Sequence, residues 1–162
     1  MKRVLLFFLI YLFSITSSYA NDRDIRLNQL FNELKVNKTN VAANVAQEIW
    51  SLWSTHPTDQ KLTSILDEGS RLVQDRQLNR AITVFSEAIE LDPTWAEAWN
   101  KRATVFYMVG EFQKSQDDID KVLELEKRHF GALAGQGMVN IKLKNYDKAK
   151  KSYQKAQEIY PA

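Results

Sequence analysis

The chain has 162 residues, 44% of them hydrophobic and 26% charged, with five glycines, three prolines and no cysteine. That length supports one compact domain; the low Gly and Pro content excludes collagen-like and linker-like chains, and the missing cysteine excludes disulfides, thiolate nucleophiles and cysteine-held zinc or iron–sulfur centres. The formal charge of +2 rests on Lys2 and Arg3, without which 20 basic side chains balance 20 acidic ones, so charge makes no case for a nucleic-acid partner or a membrane surface.

Met1-Lys2-Arg3 is a short cationic start, Val4 to Phe13 is unbroken apolar or aromatic, and residues 14–18 turn polar. Ser18 and Ala20 then place small residues at the −3 and −1 positions of a cleavage site after Ala20. This is the layout of a secretory signal peptide over 1–20. The apolar run falls well short of the roughly 20 residues that cross a bilayer, so no stable membrane insertion is expected once it is removed. Asn37-Lys38-Thr39 matches a glycosylation triplet that nothing else in the chain supports.

Residues 21–61 hold two amphipathic stripes. Leu27, Leu30, Phe31 and Leu34 form the first; Val41, Val45, Ile49, Trp50, Leu52 and Trp53 form the second, which Pro57 closes. They predict a helical pair that caps the first face of the array beginning at residue 62.

From residue 62 a 34-residue period runs to the end. Ala81, Ser115 and Ala149 share one column; Phe85, Ile119 and Tyr153 another; Ala88, Val122 and Ala156 a third. Gly69, Ala103 and Gly137, with Ile65, Trp99 and Leu133, and Leu78, Phe112 and Tyr146, continue the register. Within each period an apolar stripe at i, i+4, i+7 (Trp99, Ala103, Phe106), a turn near Gly110-Glu111 and a second stripe predict helix, turn, helix. The small-residue columns let two helices approach closely, and Pro93 and Pro161 end helices. Toward the end the packing column Ile82 becomes Gln116 and then Lys150, which predicts a solvated terminal face.

These columns resemble the tetratricopeptide repeat (TPR). Units 62–95, 96–129 and 130–162 carry the resemblance, with 21–61 as a degenerate repeat or cap; Lys127 departs from the proline and Ser115 from the alanine that the pattern favours. The whole resembles exported three-repeat TPR proteins of α-proteobacteria. The resemblance implies an all-α, right-handed solenoid of helical hairpins, a periplasmic location, and a concave groove lined by the first helix of each unit. Mapped residue by residue, that groove takes Leu66, Ser70 and Val73; Asn100, Thr104, Tyr107 and Met108; and Gly131, Ala134, Met138 and Ile141. Asn100 is the leading partner contact, since a side-chain amide bonds a peptide backbone, and Tyr107 follows as a rigid amphipathic anchor. Chaperone-binding TPR domains place Lys and Asn where this chain has Leu66 and Ser70, and Lys or Arg where it has Gly131 and Gly135, so an acidic C-terminus is not the expected ligand.

Catalytic chemistry is sparse. His56 and His129 lie in different segments with no helical His pair, so no metal, cofactor or catalytic residue is expected, and capping or an interhelix hydrogen bond accounts for His129. Gly131 to Gly137 lacks the Gly-Lys-Ser/Thr ending of a phosphate loop. Gly131 and Gly135 either admit a partner's backbone or pack against a neighbouring helix. Asp117 and Asp120 stand beside Lys114 and Lys121, and surface ion pairs suffice there. Lys148, Lys151 and Lys155 form a solvated stripe or a docking site for anionic envelope polymers, while Arg102 and Arg128 either pair across units or reach a partner. The reading is a non-catalytic, periplasmic protein–protein interaction module. Its alternatives are an accessory subunit of an envelope enzyme, such as one acting on peptidoglycan, and self-assembly through the Trp50/Trp53 segment. Self-association is left open.

Overall fold

The computed structural model describes residues 22–36 and 40–161; residues 1–20 with the cleavage site expected after Ala20, and the Asn37-Lys38-Thr39 triplet, lie outside them. Eight helices account for the regular structure of the described residues: α1 (22–36), α2 (Asn40–Ser54), α3 (Gln60–Gln74), α4 (Leu78–Leu91), α5 (Ala96–Met108), α6 (Phe112–Leu125), α7 (Phe130–Lys142) and α8 (Tyr146–Ile159). None is long and apolar enough to cross a membrane.

The 34-residue period is written into the backbone as well as the side chains. After α3, α5 and α7 the chain turns through a left-handed residue, Arg76 (φ 59°), Gly110 (φ 84°) and Lys144 (φ 62°). The next amide closes each helix by donating five residues back, Gln77 to Leu72, Glu111 to Phe106 and Asn145 to Asn140, at 2.8, 2.9 and 2.8 Å. This is the Schellman closure. Only the middle unit has the glycine that adopts such a φ without strain; an L-residue there costs about 1 kcal/mol, so Arg76 and Lys144 are held by the closure around them. Asp59 starts α3 by accepting from the amides of Lys61 (2.7 Å) and Leu62 (3.4 Å), a side-chain cap on otherwise orphan donors.

Each helix packs on the next from α3 to α8, and α3 with α5, and α5 with α7, also touch directly. The helices α4, α6 and α8 make no comparable contacts with one another. The array therefore curves, with α3, α5 and α7 on its inner, concave side. The close hairpin crossings follow from the small-residue columns. An added Cβ at Gly69 would lie 2.3 Å from Phe85 Cε1, and one at Gly137 would lie 2.6 Å from Tyr153 Cζ. Phe85 is fully buried.

The N-terminal pair departs from its predicted place over the array's first face. It runs along the edge where the inter-unit corners lie. The core of α3 and α4 contains no α1 or α2 residue. Instead Leu27, Leu30, Phe31, Leu34, Ile49 and Trp53 share a cluster with Phe130, and Ile159 and Tyr160 pack against it. Trp53 reaches two corners that occupy one column of the repeat. Its carbonyl accepts from Trp95 Nε1 at 2.9 Å, and its ring stacks on His129, with centroids 4.0 Å apart and planes 9° from parallel.

The glycine geometry gives a graded prediction for urea unfolding. Gly69→Ala must displace a buried ring and should lose about 1–3 kcal/mol, the usual range for overpacking. Gly137→Ala should lose less, because Tyr153 is 39% exposed and can swing outward. Gly135→Ala, whose Cβ would meet nothing nearer than Ile119 Cδ1 at 3.6 Å, should hold or gain up to about 1 kcal/mol from helix propensity. Equal losses at all three would refute the packing account.

Candidate functional site

Between α5 and α7, with α6 as its floor, lies a cleft of about 80 Å³. Its walls are Ala103, Ile119, Ala132, Val139 and Met138, its rim Asn100, Thr104 and Tyr107, and the helix surface at Gly131 and Gly135 forms one side. Cofactor and drug-sized sites occupy several hundred Å³; this one holds a single side chain.

The polar rim is fixed from beneath. Asn100 Nδ2 donates to Glu97 Oε2 at 3.0 Å, which orients the side-chain amide and leaves its Oδ1 with no protein partner among the described residues. Thr104 Oγ1 donates to the Asn100 carbonyl at 3.0 Å and keeps its acceptor capacity. Tyr107 leans on Phe112, with centroids 5.5 Å apart, which limits the ring's freedom at the mouth.

Glu97 itself is buried, an expensive position for a carboxylate unless it is paired. Lys101 Nζ lies 3.4 Å from Oε1, and His129 Nε2 lies 3.0 Å from Oε2. The imidazole tautomer follows from geometry. His129 Nδ1 accepts the Ala132 amide at 3.0 Å, capping α7, so Nε2 carries the hydrogen and donates to Glu97. His56 is built alike: Nδ1 accepts from the Asp59 amide at 2.9 Å, and Nε2 donates to Asp92 at 2.8 Å. Both histidines thus accept a backbone amide beside a helix start on one nitrogen and reach a carboxylate across a corner with the other; of the two, only His129 caps its helix.

The two arginines are structural. Arg102 makes a two-pronged bond with Asp118, 2.8 Å on each arm, and a 2.9 Å bond to Ser86, so it clamps α4, α5 and α6. Arg128 grips Glu126, donates to Asn28 at 2.6 Å and lies 4.3 Å over the Phe31 ring, which pins α1 to the corner after α6. Burial alone would raise the Glu126 carboxyl. The Arg128 guanidinium and backbone amide outweigh that and hold it below its ordinary range.

Of the residues that sequence assigned to the groove, the cleft gathers Asn100, Thr104, Tyr107, Gly131 and Met138. Met108, half exposed at the end of α5, and half-buried Ala134 stand outside its lining. Leu66 is 1% exposed and belongs to the core, a correction to its placement on the groove surface. Gly131 is explained by the chain itself, because a Cβ there would collide with the Trp50 ring. The Trp50/Trp53 rings are thus engaged internally, with Trp53 only 4% exposed. Gly135 is the glycine left bare in the cleft. Sequence reading missed Glu97 and the polar joint between α6 and α7. There Asp120 Oδ1 accepts from Gln116 (2.7 Å) and Gln136 (3.1 Å), while Asn140 Nδ2 donates to Gln116 (2.6 Å). The signal for that joint was Gln116 standing in the column of Ile82, and Asn140 in that of Leu72 and Phe106. Asp120 is committed to those amides, and among the described residues no cluster of three metal-ligating side chains occurs.

Trp53→Ala removes the ring between the two corners and should lose about 3–5 kcal/mol, the range for truncating a large buried aromatic. The loss should be seen first as faster amide exchange in α1 and α2; unchanged exchange there would contradict the docking. Acid should weaken the same docking. Because the folded Glu126 carboxyl titrates below its unfolded value, its contribution is complete above the ordinary carboxylate range and is lost as pH falls through the folded value. Glu126→Gln should flatten that limb of the stability–pH curve.

The TPR repeat family matches residues 69–110, and the tetratricopeptide repeat family residues 130–162. A TPR repeat-containing protein of Rhizobium etli is 33% identical over 138 residues, which cover 85% of this chain and 67% of that protein. Two solved structures share the fold at 20% identity. The second TPR of Spaghetti, bound to the HSP90 peptide SRMEEVD, has a TM-score of 0.60 and covers 62% of this chain and 93% of its own. MamA has a TM-score of 0.58 and covers 90% and 82%. With the period present in side chains, turns and packing alike, and with this identity to the Rhizobium etli protein, the chain belongs to the tetratricopeptide repeat family.

Proposed function

We propose that the protein is a non-catalytic interaction module of the bacterial periplasm that holds an apolar segment of a partner protein in the groove of α3, α5 and α7. The observation that carries this reading is the α5–α7 cleft. It offers an apolar socket for one aliphatic side chain, a bare helix surface at Gly135 where a peptide backbone can come close, and the side-chain Oδ1 of Asn100 as acceptor for a backbone N–H. At the socket's edge and beyond it, Met138, Met108 and Ile141 are 44, 50 and 46% exposed. Unbranched thioethers adapt to varied apolar contacts.

The Spaghetti neighbour supports peptide capture in a groove of this shape, but its acidic peptide is not a good analogue. Leu66, Ser70, Gly131 and Gly135 supply no cation where the carboxylate-binding pattern needs one. The periplasmic location rests on the signal-peptide layout of residues 1–20. Within the family, TPR units serve protein–protein contact, and the rim groups Asn100, Thr104 and Tyr107 are suited to holding rather than to proton transfer.

The test is photocrosslinking in living cells, with the photoreactive residue replacing Tyr107 at the cleft or Glu124 on α6, whose side chain is 68% exposed on the opposite layer. A discrete adduct from position 107 alone is expected, and Gly135→Leu, which fills the cleft, should abolish it while leaving cooperative unfolding intact. An adduct only from position 124, or one that persists in Gly135→Leu, would overturn the groove reading.

A further inference from the structure

The charge of this chain is not evenly spread along it. Unit 62–95 carries six acidic and three basic residues, whereas unit 130–162 carries six lysines and two acids. None of those six lysines takes part in an ion pair among the described residues. The array has an acidic end and a basic end.

Both ends are open. On α3, Ser64, Asp67, Glu68 and Arg71 are exposed, because the N-terminal pair lies along the corners. On α8, Lys150, Tyr153, Gln154 and Gln157 are exposed. Position 153 shows what is uncovered: its column mates Phe85 and Ile119, covered by the following unit, are 0% and 3% exposed, whereas Tyr153 is 39% exposed.

The way one unit joins the next can be read from the chain itself. Ser86 meets Arg102 at 2.9 Å, and one period later Asp120 meets Gln136 at 3.1 Å. The same offset brings Ile119 Cδ1 to 3.6 Å from the Cβ position of Gly135. Continued by one more period, the two columns place Gln154 opposite Glu68, and Tyr153 opposite Asp67, of a second copy. Lys150 and Lys151 lie one helical turn from Gln154, within reach of both carboxylates. A polar end normally keeps a repeat array from stacking on itself. Here the internal joint between α6 and α7 is already polar, with Gln116, Asp120, Gln136 and Asn140 bonded across it, so apolar surface is not a requirement for stacking in this chain.

We propose that the basic face of α8 docks on the acidic face of α3 in a second copy, head to tail and in the register of the internal joints. The surfaces differ, so the contact is heterologous and does not close on a pair; copies add in a row. It uses neither the α5–α7 cleft nor any partner protein, and its success or failure is independent of the groove reading.

Sedimentation of the purified chain over a wide concentration range tests it. At about 10 mM salt, where the screening length is roughly 30 Å, the weight-average mass should climb with concentration; at about 1 M, where it is roughly 3 Å, the rise should be lost. Glu68→Lys alone, and Lys150→Glu with Lys151→Glu alone, should each remain monomeric, since each sets like charges face to face. A mixture of the two variants should associate, because the opposed faces are complementary again. A monomer at every concentration in low salt would overturn the proposal, as would a Glu68→Lys variant that associates like the parent chain, or a mixture that stays monomeric.

Discussion

A carboxylate buried from solvent is the hinge of this structure. Glu97 sits at the start of α5, where three parts of the chain converge, and its charge is met by a lysine of its own helix, the Asn100 amide and the imidazole of His129 from the next unit. Breaking a buried pair of this kind is costly, because the group left behind stays charged and unsolvated. The consequences run outward. The His129 bond fixes the distance between the starts of α5 and α7, and so the width of the cleft between them. Its tautomer caps α7. Its ring face forms the platform on which Trp53 lies, which carries the N-terminal pair with it.

That pair changes what the concave surface can do. A plain three-unit array offers a groove along all of its inner helices, but here α2 sets Trp50 against Gly131 at the α7 start. The inner surface is therefore walled at the corner edge and open toward Met108 and Ile141. Leu66, buried in the core of the first unit, adds nothing to it. What remains is concentrated on two helices, with one socket, one oriented acceptor and a methionine-rich apron.

The repeats were legible because helix packing imposes a fixed spacing on small and aromatic residues; Gly69 beneath Phe85 and Gly137 beneath Tyr153 are direct physical readings of their columns. The fate of residues 21–61 was not. Its stripes predict two helices correctly, but amphipathicity says only that a face must be covered, not by what. The partner turned out to be a column, Trp95 and His129, that the helix–turn–helix pattern leaves unconstrained. Asn100 was half legible: its type and position point to the groove, while the buried carboxylate that orients it came from a glutamate that a helical stripe reads as surface. Arg102 and Arg128 had ambiguous roles for a similar reason, since an arginine's reach exceeds the information in its sequence neighbours.

The bond between Asn28 and Arg128 spans 100 positions, and that length has a kinetic meaning. A linear repeat array folds through near-neighbour contacts, can begin at any unit, and comes apart from its ends. Tying the first helix to the corner after the sixth adds a long loop closure whose entropy must be met before its contacts form. The chain therefore exchanges the fast, piecemeal assembly of a solenoid for slower and more concerted folding. The third unit, which an open array would leave free to fray, is locked by the segment made first.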